Sequence, residues 1–216
     1  MKVTAITATF QRPEAMALCR KYLERQTLQP DQWLVLDGPE PMPRKILAAI
    51  EENRIEGDVV AFVEDDDWFR KDWLQWVHDG IARGYEVVGE GHAVYYNPRF
   101  RWWSECRNVR HAALVQTAVH RDVLELVANV IRSFESPFFD TRLWQLDVNK
   151  LLALPERPED RRVIGIKGMY GSLGYSGEHG AQFPPGTHAD PSMAQLWRWI
   201  GSDAAAYAKF KLQLQP

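Results

Sequence analysis

The chain has 216 residues, 45% of them hydrophobic and 25% charged, a composition that excludes disorder and suits one globular domain with a real core. A net charge of -3 excludes an overall basic field for nucleic acid, and two cysteines, Cys19 and Cys106, exclude a disulfide framework and offer no metal-ligand spacing. No stretch approaches the ~18 apolar residues of a membrane span. Met1 to Ala5 also lacks the apolar core of a signal peptide, so a reducing cytoplasm is the expected compartment.

Val3 to Phe10 reads as a buried strand, followed by a helix with Pro13 at its start and an apolar face of Ala15, Leu18, Cys19 and Tyr22. Trp33 to Leu36 is a second strand, broken by Asp37-Gly38-Pro39, and a helix from about Arg44 carries Ile46, Ala49 and Ile50 on one face. Val59 to Val63 is the third strand. Strands separated by helices imply right-handed parallel crossovers, and in such sheets ligands bind beyond the carboxyl ends of the strands. Thr9 to Arg12, Asp37-Gly38 and Asp65 to Asp67 fall at those ends and are expected to share one cleft.

The third strand runs straight into Glu64-Asp65-Asp66-Asp67. Crowded carboxylates at the end of a buried strand repel one another unless a cation sits among them, and hard oxygen ligands suit magnesium, manganese or calcium. The alternative is a solvated acidic loop capping the helix that begins near Lys71. The buried-looking flanks Val59 to Val63 and Trp68-Phe69 argue against a loose surface turn. Beyond them, Trp73, Trp76, Val77 and Ile81 recur at helical spacing and read as packing.

After Tyr85 to Gly89 the chain becomes less regular and antiparallel in character. Tyr95 to Trp103 sets two arginines, Arg99 and Arg101, among tyrosines and tryptophans around a turn, and Arg107, Arg110, His111 and Arg121 extend the positive character. Such interleaving suits stacking on bases, or a hairpin with alternating aromatic and polar faces along one side of a cleft without nucleic acid. A helix from Asp122 to Phe134 and another from Thr141, with Asp140 able to cap it, come next. Gly165, Gly168, Gly171, Gly174, Gly177 and Gly180 then fall every third residue, which reads as a loop whose backbone approaches a ligand, with amides available to phosphate oxygens. A final helix from Ser192 to about Leu212, opened by Asp190-Pro191, presents Leu196, Trp199 and Ile200 on one face.

Ala5 to Pro13, then Leu34 to Gly38, then Glu64 to Trp68, at this order and spacing, resemble a GT-A glycosyltransferase of the family 2 type, of the small soluble kind found in phages. The resemblance covers about the first 75 residues well and implies an α/β GT-A fold, a mixed, mostly parallel sheet flanked by helices. It implies one domain over 1-216, with a nucleotide-sugar-binding half at 1-90 and an acceptor-binding half at 91-216. It further implies a nucleotide-diphospho-sugar donor, of UDP type, and a manganese or magnesium ion on the diphosphate. Carried over, Thr7, Thr9, Arg12 and Asp37 hold the nucleoside, Asp65 and Asp67 are the principal metal pair, Asp66 assists on metal or ribose, His179 adds a metal ligand, and Lys167 contacts the diphosphate. One departure stands out: the second strand ends in the single Asp37 where many relatives have two aspartates.

By the same likeness Asp147 is the candidate base on the acceptor hydroxyl and Asp140 its runner-up, although the usual adjacent Glu-Asp pair is missing. The acceptor surface falls on Arg99, Arg101, Trp102, Trp103, Arg107 and Arg110, facing a hydroxymethylated base in DNA, a glycan or a protein. A nucleotidylyltransferase would show a glycine- and lysine-rich signature after the first strand, which Thr9-Phe10-Gln11-Arg12 is not. A non-catalytic nucleotide-sugar-binding module has no need of metal ligands together with a base.

Overall fold

The computed structural model describes residues 1-134, 136, 138-169 and 186-210. In chain order it begins β1 (Val3–Thr9), α1 (Pro13–Glu24), β2 (Gln32–Asp37), α2 (Met42–Glu51), β3 (Val59–Phe62), β4 (Trp68–Phe69) and α3 (Trp73–Ala82). It continues with β5 (Val87–Glu90), β6 (Ala93–Asn97), β7 (Trp102–Cys106), β8 (Thr117–His120), α4 (Leu124–Ser133) and α5 (Asp140–Leu143). The remaining elements are β9 (Lys150–Ala153), β10 (Val163–Ile166), β11 (Thr187–Ala189), α6 (Ala194–Ile200) and a 3₁₀ run over Gly201–Phe210.

The central sheet has the order β2-β1-β3-β8-β5-β9. Its β1-β2, β1-β3 and β5-β9 pairings are parallel, while β8 runs antiparallel to both neighbours. Both faces are covered. Successive side chains of a strand point to opposite faces, so Val59 and Ala61 of β3 join a core with α1 and α3, while Val60 and Phe62 join a second core with α2 and α4. Such two-sided burial explains why β3 reads as an uninterrupted apolar run.

A second sheet, ordered β11-β7-β6-β10-β4, lies against the first core. Gly165 belongs to its strand β10, which corrects the expectation that this glycine starts a ligand loop. The side chain of Tyr95 on β6 lies so close that a Cβ at 165 would sit 2.5 Å from its ring. Gly168 does leave the strand at φ +83. The other four glycines of the run lie outside the described residues.

The last helix is shorter than its pattern suggests. Asp190 accepts bonds from the Gln195 and Leu196 amides, and α6 stops at Gly201, whose φ of +59 turns the chain into the 3₁₀ run. Trp199 packs edge-on against Tyr96 and Trp103. Asp203 accepts bonds from Lys21, Arg25 and the Trp68 indole, and the Tyr22 and Tyr207 hydroxyls meet at 2.9 Å. These contacts clamp the 3₁₀ run onto α1 and β4, beneath the acidic segment. No described helix is long and apolar enough to cross a membrane.

Candidate active site

The carboxyl ends of β1, β2 and β3 open into a cleft of about 1090 Å³. Thr9, Arg12, Gly38, Lys45, Glu64, Asp65, Asp66 and Lys167 line it, together with Ser104, Asn108, His111, Phe138, Asp140 and Thr141 among others. The three strand ends expected to share a cleft are thus adjacent. Lys45, which the sequence reading passed over, donates to the carbonyls of Thr9 and Gly38 at 2.7 Å each and ties the β1 and β2 ends together. Burial lowers its pKa against the pull of Asp37 and Glu40. A lysine in the first turn of α2, against the helix dipole, was the available signal.

Asp65 has both oxygens engaged: the Thr9 hydroxyl donates to Oδ2 at 2.7 Å and Arg12 donates to Oδ1 at 2.7 Å. Arg12 also grips Asp66. Burial, then Asp66, pushes the Asp65 carboxyl up to about 6, with Arg12 and Thr9 pulling it back. Beside the expected Asp65-Asp67 pair stands a second grouping of acids that includes Asp67. Glu64, Asp66 and Asp67 bring one oxygen each within 4.8 Å of one another. Asp65 anchors Arg12 and the Thr9 hydroxyl, one on each oxygen.

Asp67 is fully buried between the two sheets. Its Oδ1 accepts the Ile166 amide at 2.6 Å, and its Oδ2 is buried with no hydrogen-bond partner. Lys167, the residue after β10, holds its ammonium 3.6 Å from Glu64 Oε2 and 3.6 Å from Asp67 Oδ1. Burial raises the carboxyl of Asp67 well above the usual carboxylate range although Lys167 opposes it, and raises Glu64 as well. Burial alone would lower the Lys167 ammonium, but Asp67, then Glu64 and Asp66, more than reverse this and raise it. When all are ionised, the acids of the 64-67 segment outnumber Arg12 and Lys167 by two charges, the charge of one divalent ion. Hard oxygens, an orphaned buried Asp67 Oδ2 and that deficit fit magnesium or manganese. His179 lies outside the described residues.

Other expected residues sit elsewhere. Val3, Ala5 and Thr7 alternate onto the α1 face, where Thr7 is buried and accepts the Trp33 indole N–H at 2.9 Å, away from the cleft lining. Asp37 is exposed at the end of β2 and is not among the lining residues. Asp147 is likewise exposed and outside the lining, whereas Asp140 lines the cleft. Asp140 accepts the Leu114 amide at 3.1 Å and the Thr141 amide at 2.9 Å, and burial raises its pKa against the pull of these bonds and of His111.

The arginine-aromatic hairpin divides by strand alternation. Trp102, Ser104 and Cys106 of β7 line the cleft, while Trp103 on the opposite face stacks on His188 at 4.2 Å. Arg101, expected on a binding surface, is buried in a left-handed turn conformation at φ +57 and donates to the Ala208 carbonyl. Arg99 lies over the Phe100 ring, Arg107 is a surface residue 3.8 Å from Glu105, and Arg110 is exposed.

No family model and no curated protein matches the chain. Among solved structures, residues 1-349 of S. aureus TarS in complex with UDP align at TM-score 0.54 and 13% identity, covering 78% of this chain and 61% of that one. A further structure of the same TarS fragment aligns at TM-score 0.51 and 11% identity, again over 78% and 61%. A197 from STIV aligns at TM-score 0.49 and 17% identity, over 81% and 98%. This chain spans about three fifths of the TarS fragment. At such identities the likeness is one of fold: the chain has an α/β fold of the GT-A, nucleotide-diphospho-sugar transferase type, with its cleft at the carboxyl edge of the central sheet.

Proposed function

We propose that the chain is a metal-dependent glycosyltransferase that moves a sugar from a nucleotide-diphospho-sugar of UDP type to a hydroxyl of its acceptor. The observation that carries this reading is the meeting of Glu64 and Asp66, which line a cleft large enough for donor and acceptor together, with Asp67 buried behind them and its Oδ2 unpartnered. The likeness in fold to TarS, whose structure was solved in complex with UDP, supports a nucleotide ligand.

Glu64, Asp66 and Asp67 would hold a manganese or magnesium ion, which when bound supplies charge stabilisation to the departing diphosphate. Arg12, clamped by Asp65 and Asp66, and Lys167, between Glu64 and Asp67, place two permanent cations beside the same region. Thr9 and Lys45 hold the loops after β1 and β2 in register, so the nucleoside side of the cleft is preorganised. Elsewhere in the lining Asp140 is fixed by two backbone amides, and its raised pKa makes it a stronger base than an ordinary carboxylate for the acceptor hydroxyl proton.

The test is hydrolysis and transfer with a panel of nucleotide-sugars in the presence of manganese. Turnover of a UDP-sugar that stops with chelator and returns with metal is expected. Undiminished turnover in excess chelator would reject the metal role, and binding of donors without any turnover would leave a binding module.

A further inference from the structure

We infer that the acceptor end of the cleft takes a neutral, hydroxyl-rich saccharide. The inference rests on reading the cleft as a sugar-transfer site and names the class of its second substrate. The cations that line the cleft are committed: Arg12 to Asp65 and Asp66, Lys167 to Glu64 and Asp67, and Lys45 to the carbonyls of Thr9 and Gly38. β7 and the segments around His111 and Asp140 contribute Ser104, Asn108, His111 and Thr141, all hydroxyl, amide or imidazole groups.

None of the hairpin arginines joins that lining. Arg101 is turned onto Ala208, Arg99 onto Phe100, Arg107 is 81% exposed beside Glu105, and Arg110 is outside the lining. The segment 170-185 contains no lysine or arginine in its sequence and so brings no such cation. A polyanion is held chiefly by lysine and arginine on its phosphates, and among the described residues β7 and the segments around His111 and Asp140 bring none to the lining.

A sugar asks for something else: an apolar face for the ring and hydrogen-bonding groups at its edge. Phe138 lines the cleft two residues from Asp140 and is 49% exposed. Deeper on the same hairpin face, cross-strand neighbours Asn97 and Trp102 line the cleft, and their Asn97 Nδ2 and Trp102 Nε1 donors are buried without partners. Two spare N–H donors suit uncharged ligand oxygens. Asn97 Oδ1 is already committed to the amides of Arg99 and Phe100, which shape the turn.

The experiment is ligand-observed NMR on the full chain with UDP and manganese present, using a panel of neutral pyranosides and oligosaccharides, with hydroxymethylated duplex DNA as the competing class. At least one neutral saccharide should bind, with affinity changing less than about twofold over a roughly sixfold rise in salt. Phe138→Ala should weaken it about tenfold and Phe138→Tyr should retain it. Asn97→Asp, which keeps the turn bonds and removes the spare donor, should also weaken it about tenfold. Arg107→Ala and Arg110→Ala should change nothing. The inference is overturned if the duplex binds and loses about a hundredfold in affinity over that rise, as about three phosphate contacts require. It is equally overturned if UDP binds and no saccharide does. Failure to bind UDP as well would bring down the donor-site reading first, and the inference with it.

Discussion

Replacing Lys167 by methionine probes the electrostatics on which the donor end depends. The ammonium sits 3.6 Å from both Glu64 and Asp67, with its side chain only 22% exposed. At an effective dielectric constant of about 20, each contact is an attraction of about 4-5 kcal/mol before desolvation is counted. The net loss is smaller, because Asp67, already raised by burial, takes up a proton when its cation is gone. We therefore expect about 2-3 kcal/mol of destabilisation in chelator, which in a domain of this size is a fall in Tm of about 5-10 °C. The sign with pH follows. A variant whose native state holds an extra proton loses stability as pH rises, so the gap to the parent should widen through neutrality. Manganese should narrow it, since about a hundredfold excess over Kd contributes about 2.7 kcal/mol to any form that binds, and binding in the variant meets no competing ammonium. Thermal melts followed by circular dichroism in chelator and in manganese provide the assay. Equal melting temperatures in chelator, or a gap that manganese leaves untouched, would show that Lys167 does not neutralise this cluster.

Asp140→Asn should reduce kcat by about 10²-10³-fold, while Asp147→Asn stays within about twofold, and equal losses in steady-state assays would undo the assignment of the base. Because burial raises Asp140 and the ionised form is the base, activity should fall with decreasing pH along a limb above the ordinary carboxylate range, and that limb should be absent from kcat/KM profiles of Asp140→Asn. Thr7→Val should lose about 1 kcal/mol of stability through the Trp33 bond and leave UDP affinity unchanged, which denaturant titration and calorimetry measure. Gly165→Leu should cost at least about 1-3 kcal/mol by driving a side chain into Tyr95, and an unaltered denaturation midpoint would contradict the packing of β10 on β6.

The first half of the fold was legible because both faces of β1 and β3 are buried, so their apolar runs stand out, and because the acids follow β3 without a break. How the four acids share their partners was not. That choice depends on Thr9 and Arg12 reaching Asp65 from residues more than fifty positions away, and no local pattern encodes such contacts. The hairpin was legible as alternating faces, but not which residue takes which face. Trp102 and Trp103 are neighbours in sequence, yet the pleat sends one to the cleft and the other to Trp199, and a left-handed residue at Arg101 buries a side chain that composition would leave in solvent. Asp140 opens α5 and lines the cleft, whereas Asp147 lies beyond that helix and is exposed. Periodicity supplied the long last helix, but Gly201 ended it, a break that one glycine in an apolar pattern hardly announces.

The proposed metal-dependent donor site is tested most directly by calorimetric titration of UDP into the protein, in manganese and in excess chelator, with the parent and with Asp67→Asn. UDP should bind only with metal, and Asp67→Asn should bind at least about tenfold more weakly while keeping its fold, because it removes one charge from the oxygen set. UDP binding of equal affinity in chelator, or an Asp67→Asn variant that binds UDP and manganese as the parent does, would contradict a metal held by Glu64, Asp66 and Asp67.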